Sequence, residues 1–267
     1  MIHRVSGQKD PIVALLRDLV GEDGRRRGGR FFVEGEELVR RAFDYGGKVD
    51  SLILTERFAT SPAATDLLDR AAGAHADAFT TTEGLLAKIL DAKPTPECLA
   101  IVERRVAALA DMFAAECPFV MMVERCENAD NLGMLLRSTE AAGVDGVILA
   151  ADTTDPFSRR VVRGSRGAVF TLPVCIQHDP VKALTEAKKA GLQIIATSAR
   201  SEVSYSAVDY ALPTMVVVGN EHVGISDAVR SGADVVVRLP MRGKINSLNI
   251  AVAASVVLYE ALRQRGL

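Results

Sequence analysis

Five short, continuously apolar runs set the strongest limit on what this chain can fold into: Phe119–Val123, Gly146–Ala150, Leu192–Thr197, Met215–Gly219 and Val235–Leu239. They are strand-length and do not alternate, so both faces of each strand need cover. Helical spacing separates them, at Leu132–Ala142, Val181–Ala190 and the short turn Asp227–Ser231, with Gly143 and Gly191 as stops. Val174–Ile176 reads as a further strand after an irregular basic stretch. This alternation predicts a parallel sheet with helices on both faces. Such sheets bind ligands beyond the carboxyl ends of their strands. The loops after Val123, Ala150, Thr197, Gly219 and Leu239 are therefore where chemistry is expected.

The last run enters the stretch Leu239–Glu260, where a turn-rich loop precedes a helix over Leu248–Gln264 that is apolar nearly all round. Ser247 stands where an N-cap belongs. The apolar run is too short to cross a bilayer. A helix of this kind is buried, in a core or against a second subunit.

The first half is also α/β. Helices are expected at Pro11–Val20, Glu36–Tyr45, Ala63–Ala72 and Thr82–Leu90, and strands at Phe31–Val33, Val49–Leu54, Ala78–Thr80 and Leu99–Val102. The Arg- and Gly-rich stretch before Phe31 reads as a mobile loop. Ala-rich Val106–Ala115 reads as a linker helix, which divides the chain into domains 1–110 and 117–267.

Four scattered cysteines without a CxxC pair argue against structural zinc and a disulfide framework, and no His/Asp/Glu group has metal spacing. No charged-then-apolar leader opens the sequence, so a cytoplasmic protein with no membrane partner is expected. A net charge of −2 counts against a nucleic-acid partner unless positive charge is local. Local charge is present at Arg25, Arg26, Arg27 and Arg30, and in the run Arg159, Arg160, Arg163, Ser165, Arg166.

GxGxxG after a strand, GxxxxGK[ST] and GxSxG are all absent. Three polar clusters remain at strand ends. Asn131, Gly133 and Arg137 open a helix, where Asn131 reads as a cap and Arg137 as a solvated charge or a phosphate ligand. Gly219, Asn220, Glu221 and Gly224 follow a strand as a turn with a carboxylate. Pro240, Met241, Gly243, Ser247, Leu248 and Asn249 form the third.

Together these clusters resemble the SpoU (TrmH-like) ribose methyltransferases of the SPOUT superfamily, over roughly Phe119–Arg263. That family carries Asn-x-Gly-x-x-x-Arg, Gly-Asn-Glu-x-x-Gly and Pro-Met-x-Gly…Ser-Leu-Asn. One departure is Ala129, where members often have Pro. More weakly, Gly29–Gly35 and Thr95-Pro96…Leu99-Ala100 resemble the ribosomal-protein-like RNA-binding domain fused to such enzymes, with Cys98 where relatives place Gly.

The resemblance implies an α/β chain with a deep trefoil knot in its C-terminal parallel-sheet domain and a small N-terminal RNA-binding domain. It implies methyl transfer from S-adenosylmethionine to a ribose 2′-hydroxyl of RNA, with large-subunit ribosomal RNA favoured by the extra domain. The alternatives are a tRNA substrate, methylation of a base nitrogen, or a non-catalytic ribosome-assembly factor. Implied catalytic residues are Asn131, Arg137, Glu221, Ser247 and Asn249. Implied cofactor residues are Thr197, Ser198, Ala199, Gly219, Asn220, Glu221, Gly224, Leu239, Met241, Ser247 and Leu248. RNA contacts are expected from Arg25, Arg26, Arg27, Arg30, Arg163, Ser165 and Arg166. No metal is implied, and a homodimer is expected through the C-terminal domain.

Overall fold

The computed structural model describes residues 2–5 and 7–266; Met1, Ser6 and Leu267, which the sequence reading included in its two domains, lie outside the described residues. The chain divides into two units, Met1–Arg105 with Phe157–Thr171, and Val106–Pro156 with Leu172–Leu267. The division is thus not one cut near residue 110. Residues 157–171, which sequence assigned to the second domain, cluster with the first.

In the first unit the elements are β1 (Ile2–Arg4), α1 (Pro11–Val20), α2 (Glu22–Gly28), β2 (Arg30–Glu34), α3 (Glu36–Asp44), β3 (Val49–Thr55), α4 (Pro62–Gly73), β4 (Asp77–Thr81), α5 (Glu83–Leu90) and β5 (Cys98–Glu103). The sheet order is β1-β4-β3-β5-β2. β1, β4 and β3 run parallel, while β5 is antiparallel to both β3 and β2. Phe31, Val33, Leu52, Leu54, Ala100 and Val102 pack on one face with Val39 and Leu67; Phe32, Ile53, Leu99 and Ile101 pack on the other with Leu16 and Leu86. This parity is the period of two of a sheet covered on both sides.

The arginine stretch is a helix, not a mobile loop. Glu22 and Asp23 occupy the first turn of α2 and Arg25–Arg27 its last, the charge order that the helix dipole favours. Arg25 is buried and donates to the carbonyls of Leu19 and Val20 (2.9 and 2.8 Å), satisfying acceptors that the end of α1 leaves open. Arg25 is therefore a structural residue.

The second unit contains β6 (Phe119–Glu124), α6 (Ala129–Ala141) and β7 (Gly146–Ala150). The chain next forms α7 (Arg159–Ser165) and α8 (Ala168–Thr171), both of the first unit. It then continues with β8 (Val174–Gln177), α9 (Pro180–Lys189), β9 (Gln193–Thr197), β10 (Val203–Ser204), β11 (Thr214–Val218), α10 (Asp227–Gly232), β12 (Val235–Arg238) and α11 (Ile250–Gln264). The linker expected at Val106–Ala115 contains only a 3-10 turn, Leu109–Phe113. The basic stretch expected to be irregular is helical in α7 and α8. There Ser165 is buried and donates to the Val162 carbonyl (2.8 Å), so its hydroxyl is already committed within the unit and is withdrawn as an RNA contact.

All seven strands of the second sheet are parallel, in the order β10-β12-β9-β11-β6-β7-β8. Val120, Met122, Met215, Val217, Ile194 and Ala196 face α9 and α10, through Ala183, Leu184, Ala187 and Val229. Strand residues of the opposite parity, Met121, Val123, Val216 and Val218, are buried too, on the face where α11 packs on α6 and β11. Burial on both faces explains why these strands read as unbroken apolar runs. α11 itself is not buried all round: Ala251, Ala254, Val257, Leu258 and Ala261 face inward, while Val252 and Tyr259 are 49% and 51% exposed.

Candidate active site

The carboxyl ends of three adjacent strands, β12, β9 and β11, surround a cavity of about 520 Å³ in the second unit. The loops after these strands and the start of α11 form its wall. Thr197, Ser198, Ala199, Gly219, Asn220, Glu221, Gly224, Leu239, Met241, Ser247 and Leu248 all line it. Sequence reasoning had placed these residues on three separate loops, and parallel pairing brings the loops together.

Backbone geometry makes room. A Cβ on Gly219 would lie 2.4 Å from Gly224 C and Ile225 N, so only glycine lets these two segments approach. Gly224, at φ +72°, turns the chain back so that its N–H donates to the Asn220 carbonyl (2.9 Å). The Asn220 side chain locks the turn: Oδ1 accepts from His222 N and Val223 N (2.9 and 3.2 Å), and Nδ2 donates to the Arg125 carbonyl (3.0 Å). Arg125 is itself left-handed (φ +60°) directly after β6, a conformation costing roughly 1 kcal/mol or more for a residue with a Cβ.

Beside the cavity is a chain of three side chains. Asn249, not Ser247, is the N-cap of α11; its Oδ1 accepts from Ala251 N (2.9 Å) and Val252 N (3.4 Å). That leaves the Asn249 amide nitrogen to donate to Asn131 Oδ1 (2.9 Å). Asn131 Nδ2 in turn donates to the Glu221 carboxylate. Asn131 is free for this because Asn128, not Asn131, caps α6, accepting from Asp130 N and Asn131 N (2.9 and 3.2 Å). Ala129, at the first position of α6, does not disturb that cap. The helix cap thus sets the polarity of the network: a donor must face Asn131, and a donor must then face Glu221.

Arg137 does not join the group. It is exposed on α6 and does not line the cavity. Met134 on the same helix is 45% exposed.

Several residues near the site escaped the sequence reading. Glu124 is 1% exposed at the end of β6, and its Oε2 accepts from Ser226 N (2.8 Å), tying that strand to the end of the Gly219–Ser226 turn. The only sequence signal was a carboxylate ending an apolar strand. Asp227, Arg230 and Ile250 line the cavity from helices whose facing residues could not be read without the tertiary structure. Cys126, also buried, has its thiol pushed up to about 12 by burial first and the Glu221 charge second, so it is no nucleophile.

Among the expected RNA contacts in the first unit, Arg26 and Arg27 pair with Glu22 and Asp18 (3.1 and 2.8 Å), Arg30 with Asp50, and Arg166 with Glu37 (2.7 Å). All four pairs are partly exposed, so an incoming phosphate competes with pairs worth about 1 kcal/mol or less. Arg163 is exposed. Among the described residues there is no cluster of potential metal ligands and no helix long and apolar enough to cross a membrane.

Residues 118–259, more than half of the chain, match the SpoU rRNA Methylase family. The chain belongs to that family. A 23S rRNA (uridine(2479)-2′-O)-methyltransferase of Streptomyces viridochromogenes is 30% identical over 254 residues, 92% of this chain and 88% of the relative. A tRNA/rRNA methyltransferase of Synechocystis, itself uncharacterized, is 29% identical over 99% of this chain and 95% of its own. Among solved structures, an AdoMet-bound rRNA methyltransferase from Sinorhizobium meliloti superposes with a TM-score of 0.87 at 29% identity, covering 98% of both chains. The family match covers all eleven cavity-lining residues named above, together with Asn131, Arg137 and Asn249.

Proposed function

We propose that this chain transfers the methyl group of S-adenosylmethionine to a ribose 2′-hydroxyl of RNA, with large-subunit ribosomal RNA as its substrate. The observation that carries the reading is the cavity closed by the loops after β9, β11 and β12, with Glu221 on its wall held through Asn131 and Asn249. Its volume of about 520 Å³ falls within the range of small-molecule sites. Leu239, Met241, Leu248 and Ile250 supply apolar surface for a nucleobase, and the glycine approach at Gly219 presents backbone groups. The residues present therefore fit the cofactor.

When bound, S-adenosylmethionine supplies an electrophilic methyl on a sulfonium sulfur. The protein's part is to orient the hydroxyl and handle its proton. Glu221 is fixed through one carboxylate oxygen by Asn131, so its other oxygen is free to accept the hydroxyl proton. Ser247 hydrogen-bonds the ribose from the facing loop. Arg137 stays charged; it holds the adjoining phosphate and stabilises the developing alkoxide. Because Arg137 is exposed and does not line its own chain's cavity, it serves the site of a second copy. The exposed apolar residues Met134, Val252 and Tyr259 on α6 and α11 form the surface of that homodimer.

The chain passage through Leu239–Asn249 forms the knot expected of this fold. The first unit holds RNA through Arg26, Arg27, Arg30, Arg163 and Arg166, and the protein works in the cytoplasm. A tRNA substrate is the second reading, since the Synechocystis relative is named for tRNA and rRNA alike.

Calorimetry with S-adenosylmethionine tests the donor, and absence of binding overturns the enzyme reading. Methyl transfer to ribosomal RNA and to total tRNA from cells lacking the gene, with ribose methyls mapped by mass spectrometry, then decides the acceptor.

A further inference from the structure

We propose that Arg230 binds the carboxylate of the cofactor's amino-acid tail, with Ser198 setting the orientation of its guanidinium. The proposal rests on the methyl-donor reading above.

Arg230 lies in the last turn of α10, half-buried, and lines the cavity. One guanidinium nitrogen donates to Ser198 Oγ at 3.1 Å. Ser198 is itself held: its N–H donates to the Val237 carbonyl (2.8 Å), and its Oγ accepts from Arg200 N (3.3 Å). Among the described residues, no carboxylate pairs with Arg230. A half-buried guanidinium has five N–H donors, and here its recorded partner is a neutral hydroxyl. Removing a cation from water is costly unless an anion compensates. The cavity thus holds a fixed, partly desolvated cation with most of its fork unspent, the arrangement that takes a carboxylate bidentately.

The position suits the tail and not the acceptor. Ser198 follows β9, whereas Asn131 belongs to the helix after β6, and β11 lies between these strands. Two strand spacings separate the ends of the site by about 10 Å. This is the scale between a methyl acceptor at one end and, at the other, a carboxylate joined to the sulfonium by a short carbon chain. Asp227, one turn before Arg230 on α10, lines the same cavity, so this helix presents an acid and a base to a ligand end that carries an ammonium and a carboxylate.

The test is calorimetry of the full chain with S-adenosylmethionine and with its decarboxylated analogue, which lacks only the carboxylate. Wild type is expected to bind S-adenosylmethionine more tightly. Arg230→Gln should weaken S-adenosylmethionine by about 10- to 100-fold, the scale of a charge-assisted hydrogen bond, and the analogue by less than about threefold. Arg230→Lys should recover part of the loss, and Ser198→Ala should show a smaller but equally selective one. Equal weakening of both ligands by Arg230→Gln, or unchanged S-adenosylmethionine affinity, overturns the proposal; the second result sends Arg230 to RNA phosphate instead. If Arg230→Gln does not fold, absence of discrimination in wild type and in Ser198→Ala overturns it equally. Wild type that binds neither ligand overturns the donor reading itself, and Arg230's role with it.

Discussion

The Asn249 amide donates to Asn131 Oδ1 at 2.9 Å, joining the first turns of two helices whose residues stand 118 positions apart. Asn249 also caps α11, so one side chain closes a helix and orients a carboxylate two links away. These roles separate by substitution. Asn249→Ala should lose the cap, about 1 kcal/mol, together with the network. Asn249→Asp keeps the cap but removes the donor, turning Asn131 so that its oxygen faces Glu221. We expect Asn249→Asp to melt within a few degrees of wild type while methyl transfer falls by about 100-fold, the usual scale of a positioned acid–base group. Thermal melts and transfer rates check this; full activity in Asn249→Asp would disconnect the network from catalysis.

The proposed sharing of Arg137 between two copies predicts complementation. Arg137→Ala and Glu221→Gln should each be inactive as homodimers. Mixed after subunit exchange, half of the dimers carry one intact site from each chain's undamaged half, so about a quarter of wild-type activity should return. Continued inactivity of the mixture, with exchange verified by native mass spectrometry, would place Arg137 in its own chain's site or outside the reaction.

Gly219→Ala sets a new Cβ against backbone atoms 2.4 Å away at Gly224 and Ile225. Neither can move without opening the turn. A stability loss of about 1–3 kcal/mol is expected, with S-adenosylmethionine affinity falling further than the stability. Urea unfolding and calorimetry give the two numbers; unaltered binding would mean that this close approach does not shape the pocket.

The basic cluster splits in two. Arg25→Met should cost stability, on the order of 2 kcal/mol for two carbonyl acceptors left open, that of Leu19 buried and that of Val20 partly buried, without changing the salt slope of RNA binding. Replacing Arg26 and Arg27 by alanine should do the opposite and reduce the slope by about one for each lost phosphate contact. RNA titrations at several salt concentrations distinguish the pair, and a slope that responds to Arg25→Met alone reverses the assignment.

Near the end of α11, Glu260 accepts from Arg263 (2.8 and 2.9 Å) and Gln264 (2.8 Å). These bonds, that from Arg263 first, hold its carboxyl down to about 2 against an ordinary value of 4.5. A carboxyl lowered in the folded state adds stability that is complete above 4.5 and disappears as pH falls toward about 2. Denaturation midpoints should therefore drop across that window, and drop less in Glu260→Gln. An identical acid profile in the variant would leave this group without a part in acid unfolding.

Much of the architecture was legible from local pattern. The apolar runs were strands because burial on both faces leaves no polar alternation, and the glycines at 143 and 191 ended helices as expected. The resemblance also named eleven of the residues that line the cavity, though not their loop neighbours Arg200, His222, Val223, Ile225 and Asn246. Local pattern failed where a side chain answers to a distant partner. Arg25 looked mobile beside its glycines, yet it caps α1. Ser247 looked like the N-cap by sequence position, but Asn249 has that geometry and the helix begins two residues later than a Ser247 cap would place it.

By itself, the sequence determined the periodicities, the order of the main strands and helices, and most of the motif residues that the cavity loops carry. Tertiary structure alone decided which loops become neighbours, because parallel pairing in the order β12-β9-β11-β6 joins segments far apart in the chain. It also decided which polar groups are left over for chemistry. A cap, a buried carbonyl or a facing helix consumes hydrogen bonds according to where it lies in space, and that position is set by packing. Glu221, Asn131 and Arg230 are candidates for function because the fold has satisfied the groups around them and left part of each unspent.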